Sequence, residues 1–127
     1  MPRRSKKTQG RPRFATRQGD KPVTFTAMVA PGRDGGAVVT MLGELDLAAA
    51  PELRKALDEA LELGGDVEVD MRGCGFVDST GIAAMVGAAR QLADRDSALH
   101  VKGAQDRVRN IFELAGLLEN DWIELEV

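Results

Sequence analysis

One α/β domain, built on a single mixed β-sheet of four to five strands with three helices, or four, packed mainly on one face, is the fold the sequence predicts. Three observations predict it. Strand and helix signals follow one another in the order ββαβαβαβ along most of the chain. Three of the strands alternate apolar with charged residues, so one face of the sheet is polar and helices belong on the other. The length of 127 residues, with 43% hydrophobic content, supports one core and is too short for two.

The elements run as follows. Val23–Val29 and Ala37–Leu42 are strands joined by Pro31-Gly32-Arg33-Asp34-Gly35-Gly36, a turn-rich stretch suited to a hairpin. Pro51–Leu63 is a helix, with proline at a first helical position and Leu53, Ala56, Leu57, Ala60 and Leu61 on one stripe; Gly64-Gly65 ends it. Val67–Met71 is a third strand and Arg72-Gly73-Cys74-Gly75 a glycine-rich turn. Ser79–Ala93 is a second helix, Ala98–Lys102 a fourth strand, Ala104–Leu114 a third helix and Trp122–Val127 a last strand. Glu68 and Asp70, His100 and Lys102, and Trp122, Glu124 and Glu126 take the polar side. Consecutive right-handed strand-helix-strand units that advance the same way place their helices on the same face.

Charge divides the chain into a tail, 1–22, and a domain, 23–127. The tail holds eight basic side chains and one acid, Asp20, for a net +7, whereas the rest carries nine basic and nineteen acidic side chains, for −10. A surface that acidic argues against direct nucleic-acid binding by the domain and favours protein partners. With Phe14 almost its only large apolar residue, the tail cannot offset its ordering entropy; it reads as a disordered extension, solvated or a weak tether to nucleic acid or acidic lipid. There is no apolar run of membrane-spanning length and no apolar segment of a secretory signal, and the single Cys74 excludes an internal disulfide, so a cytoplasmic protein is expected.

Phe76-Val77-Asp78-Ser79-Thr80-Gly81-Ile82 carries the chemistry. Ser79 stands at a helix entrance, where unpaired backbone N–H groups and the helix dipole suit a capping serine and would hold a phosphoryl group without strain. The only histidine, His100, falls mid-strand at an exposed position, so Ser79 has no base to make it a nucleophile, and catalysis is not expected. Cys74 is a small filler in a tight loop. No set of residues calls for a metal or cofactor. The second helix is apolar nearly all round: outside its core stripe stand Ala83, Ala84, Gly87 and Ala88, with no charge before Arg90. Such a face either meets a partner or is buried under a loop, and Gly87 suggests that something approaches closely.

With these residues in place the chain, over about 23–127, resembles the STAS family, and within it the bacterial anti-sigma factor antagonists. The resemblance rests on Gly43-Glu44-Leu45-Asp46, on Ala50-Pro51-Glu52-Leu53, on Asp78-Ser79-Thr80-Gly81-Ile82, and on Val108-x-x-Ile111-Phe112-x-Leu114-x-Gly116-Leu117, in that order. It implies a STAS-like fold and a non-enzymatic partner switch. Unmodified, the protein would bind an anti-sigma factor that is also a serine kinase and so free a sigma factor; phosphorylation at Ser79 would abolish binding, and a metal-dependent serine phosphatase would restore it. Asp46 and Asp78 would flank the docking site, Thr80 would be a secondary neighbour, and Gly81, Ile82, Ala83 and Gly87 would belong to the docking surface. A monomer or weak dimer is expected. A non-enzymatic STAS subunit of a larger assembly, a stress-sensing complex or a lipid transporter, is the alternative.

Overall fold

Alternating burial along the strands sets the architecture. In the computed structural model, which describes residues 25–33, 35–116 and 123–126, the elements are β1 (Phe25–Pro31), β2 (Ala37–Leu45), α1 (Ala50–Glu62), β3 (Val67–Val77), α2 (Ser79–Ala93), β4 (Leu99–Lys102), α3 (Asp106–Leu114) and β5 (Ile123–Glu126). The strands lie in the order β1-β2-β3-β4-β5; β1 is antiparallel to β2 and every later neighbour is parallel. Among the described residues five strands and three helices form one mixed sheet with its helical layer, as the pattern of the sequence predicts.

Val39, Met41, Val67, Val69, Met71, Leu99, Val101 and Ile123 turn to one side and are buried. Against them pack Leu53, Leu57 and Ala60 of α1, Met85, Ala89 and Leu92 of α2, and Val108 and Phe112 of α3. The alternate strand positions, among them Glu68, Asp70, His100, Lys102, Glu124 and Glu126, occupy the opposite face and keep access to solvent. All three helices therefore sit on one face, because each parallel crossover turns with the same hand.

The structure corrects one stretch. Arg72-Gly73-Cys74-Gly75 is not a turn: β3 runs on through Val77, and β2 runs on to Leu45 beside it. Two register shifts, between Thr40 and Leu42 and between Gly43 and Glu44, absorb the extra residues as bulges. Gly43 has φ +107° at the second shift. A Cβ on Gly73 would lie 2.5 Å from Leu42 Cδ2, so glycine here lets two strands approach rather than ending one. Cys74 is accordingly a fully buried strand residue, not a loop filler; burial pushes its thiol up, against the hydrogen bond to the Phe76 carbonyl at 3.3 Å. The predicted tail, Val23, Thr24, Trp122 and Val127 lie outside the described residues.

Candidate functional site

The ends of β2 and β3 bring two carboxylates to one edge of the sheet. Leu45 pairs with Val77, and the next backbone N–H, that of Asp78, donates to the Leu45 carbonyl at 3.0 Å. Asp46 therefore follows Leu45 beside Asp78. Asp78 caps a helix, and Asp46 closes the turn that precedes one. Asp46 Oδ1 accepts the Ala49 N–H at 3.0 Å, ahead of α1. Asp78, in extended conformation, is the N-cap of α2: its Oδ1 accepts the N–H groups of Thr80 and Gly81 at 3.0 and 3.2 Å and the Thr80 hydroxyl at 2.6 Å. The Thr80 hydroxyl, then the backbone N–H groups, hold the Asp78 carboxyl below its ordinary value, so the entrance keeps its negative charge at neutral pH.

The cap is therefore Asp78 and not Ser79. Ser79 is the first helical residue, exposed, and the capping bonds leave its hydroxyl outside them. Sequence reasoning misplaces the cap by one position because both residues favour it; the extended backbone at Asp78 decides.

Of the other expected residues, Ala83 and Gly87 are exposed one turn apart on α2. Gly81 and Ile82 turn inward instead. A Cβ on Gly81 would lie 2.5 Å from Leu45 Cγ and Cδ2, and Ile82 is only 8% exposed, because they follow the phase of the buried stripe. Among the described residues, nothing beyond its own helix backbone and chain neighbours comes within 4 Å of a Cβ built on Gly87, so the surface there is open. Ala84 and Ala88 are buried on the side facing α1. Beside Ala83 and Gly87 a groove of about 180 Å³ runs between α1 and α2, with Arg54, Leu57, Asp58 and Leu61 as its other wall.

Two exposed apolar residues near the site carboxylates in the chain have no role assigned from the sequence. Leu47, 69% exposed, follows Asp46, and Phe76, 38% exposed, precedes Asp78 by two positions. Leu47 adjoins Asp46 in the chain, and Phe76 pairs with Glu44 at the end of β2. Their signal is an apolar side chain in a stretch that reads as turn.

His100 lies on the opposite face, and is less exposed than a solvated strand residue: its ring nitrogens stand 2.9 Å from Asp66, 3.1 Å from Glu126 and 3.2 Å from Glu124. Burial alone would lower its pKa, but these carboxylates outweigh it and raise it. With the sheet between them, His100 is no base for Ser79. His100, Glu124 and Glu126 form one grouping, among the described residues, whose donors lie close enough to share a cation; Lys102, 3.7 Å from Glu126, already supplies a positive charge there.

Comparisons with known proteins agree with this geometry. A family model described as Mlab, STAS domain matches residues 29–124. The anti-sigma-B factor antagonist of Staphylococcus aureus is 34% identical over 89 residues, covering 66% of this chain and 82% of that protein. Among solved structures, an anti-sigma factor antagonist from Mycobacterium paratuberculosis superposes with a TM-score of 0.70 at 22% identity, over 80% of this chain and 86% of the other. The antagonist SpoIIAA, in its unphosphorylated form, gives 0.66 at 21% identity, over 80% and 89%. Its phosphorylated form, from Bacillus, gives 0.62 at 19%, over 80% and 92%. At such identities the structures speak for the fold, while the family model and the Staphylococcus relative carry the assignment. A five-stranded mixed sheet with helices on one face, an Asp-Ser-Thr-Gly helix entrance and a family match across most of the chain together place this protein in the STAS domain family.

Proposed function

We propose that the protein is an anti-sigma factor antagonist that works by partner switching at Ser79. The observation that carries this is an exposed serine at the first position of α2, beside a charged Asp78 cap and at the foot of a small-residue helix face. Residues 23–127 are the STAS domain and 1–22 its basic tail. In the unmodified state Ala83, Gly87 and Leu47 present apolar surface, flanked by Asp46 and Asp78, to an anti-sigma factor that is also a serine kinase. The S. aureus relative's name supports an antagonist of this kind.

Phosphorylation adds about 1.5 to 2 negative charges. The N-terminus of α2 tolerates them, because its N–H groups and dipole favour an anion. A partner seated over Ser79 does not, since the phosphate brings charge and hydration into an apolar contact already edged by two carboxylates. The switch therefore acts at an interface and leaves the fold intact. A metal-dependent serine phosphatase resets it, and SpoIIAA, solved in both forms, is a fold relative that carries such a modification. The protein acts in the cytoplasm as a monomer or weak dimer, needs no cofactor and does not turn over a substrate; no helix among the described residues is long and apolar enough to cross a membrane.

The test is to incubate the full chain with its anti-sigma kinase and ATP and map the product by mass spectrometry. Phosphate on Ser79, with loss of the complex, is the expected result. Modification elsewhere, or a complex that survives it, defeats the proposal; co-purification with a transporter or stress-sensing assembly instead of a kinase favours the alternative of a structural STAS subunit.

A further inference from the structure

The face of the sheet turned away from the helices carries two unlike halves. On the side of β3, β4 and β5 stand Glu68, Asp70, Glu124 and Glu126, with Asp66 just ahead of β3; Arg72, Lys102 and His100 are paired among these five acids, and even with His100 protonated three cations do not balance them. On the side of β1 and β2, Met28 and Leu42 are 56% and 48% exposed. Met28 pairs with Thr40 and Thr40 with Asp70, so the apolar and acidic halves meet on one continuous face. Among the described residues no helix covers it.

The chain itself supplies a match. Residues 1–22 hold eight cations and one acid, with Phe14 as their one aromatic side chain, and they lead into the sheet at β1. Phe25 lies eleven steps along the chain from Phe14, a reach of up to about 36 Å. Four interstrand spacings, the full width of the sheet, come to only about 19 Å. A tether of this length holds the tail at roughly millimolar effective concentration, so individually weak charge contacts add up. The acids of α1 are a poorer match, because Arg54 and Lys55 are interspersed among them.

We propose that residues 1–22 fold back over this open face as a basic strap, with lysines and arginines meeting Glu68, Glu124 and Glu126 and Phe14 lying against Met28 and Leu42. The strap leaves the Ser79 edge clear and neutralises the tail's own charge, so the tail is an internal ligand and not a tether to nucleic acid or lipid. This stands whether or not Ser79 is phosphorylated.

Paramagnetic relaxation in the full chain tests it, with a nitroxide on Thr16→Cys; Cys74 is fully buried and does not compete for the label. The expected result is several-fold stronger broadening of the amide signals of Met28, Leu42, His100 and Glu124 than of Ala83 and Gly87. Raising salt from about 0.01 to 1 M, which shrinks the Debye length from about 30 to 3 Å, should abolish the difference. The double variant Glu124→Gln, Glu126→Gln should also weaken it while the spectrum stays folded. Broadening centred on the α1–α2 groove, even broadening, or an effect indifferent to these substitutions overturns the proposal. So does a tail that is silent until duplex DNA or anionic vesicles are added.

Discussion

The backbone N–H of Asp78 donates to the carbonyl of Leu45 at 3.0 Å, and through that one bond the end of β2 holds the entrance of α2. Ser79 is thereby carried on two strands and a helix, a rigid platform on which a charge can be added without moving its support.

Ser79→Ala and Ser79→Asp should both fold as well as the parent, within about 0.5 kcal/mol in urea unfolding, because the side chain is exposed and outside the cap. Calorimetric titration against the anti-sigma factor should separate them. Alanine keeps the affinity; aspartate loses about tenfold or more, equivalent to about 1.4 kcal/mol. Equal binding by both variants would place the switch elsewhere.

Removing the cap should cost stability where removing the serine does not. Asp78→Ala leaves the N–H groups of Thr80 and Gly81 without their acceptor and is expected to lower stability by about 1 kcal/mol, with Asp78→Asn losing less. The folded-state pKa of Asp78 is depressed, so its contribution is present above the ordinary carboxyl value of 3.8 and is lost as pH falls through the lower folded value. Asp78→Asn should flatten that acid limb of the unfolding profile; an unchanged limb would exclude the charged cap as its source.

Two glycines of the same helix should respond in opposite directions. Gly81→Ala drives a methyl group into Leu45 and is expected to destabilise by about 1 to 3 kcal/mol. Gly87→Ala meets open space and should stabilise by up to about 1 kcal/mol through helix propensity. If the α2 face is the docking surface, Gly87→Ala also weakens partner binding while raising the melting temperature. Stability and affinity moving together would argue against that face.

On the far side of the sheet, His100 has a raised folded pKa. Its stabilisation is complete below the ordinary histidine value of 6.5 and is lost as pH rises through the higher folded value. Denaturation of the parent should show a decline in stability over that interval, weaker at high salt. His100→Gln should remove it, and a decline that persists would point to another group.

Much of this was legible because burial writes itself into alternation. Glu68 and Asp70 between Val67, Val69 and Met71 announce a one-sided sheet, and the structure has one. What was not legible depended on long-range pairing. Gly73 and Gly75 look like a turn until Leu42 is known to press against Gly73, since only the neighbouring strand shows that the glycines serve bulges. The Asp78 and Ser79 ambiguity is similar: two good capping residues in succession, decided by the extended backbone that Asp78 takes at the end of β3. The exposure of Leu47 and Phe76 is likewise set by their surroundings, and no local pattern marks either apolar residue as exposed.

The strict succession of strands across the sheet has a further consequence for how the protein is made. Every strand after the first lies beside the one that came before it. A chain emerging from the ribosome can therefore zip up in order of synthesis, β1 and β2 as a hairpin, then each crossover onto an edge already waiting, with no segment held unpaired for a distant mate. The same order leaves β1 and β5 each with one strand neighbour among the described residues, so the sheet opens most readily from its two edges.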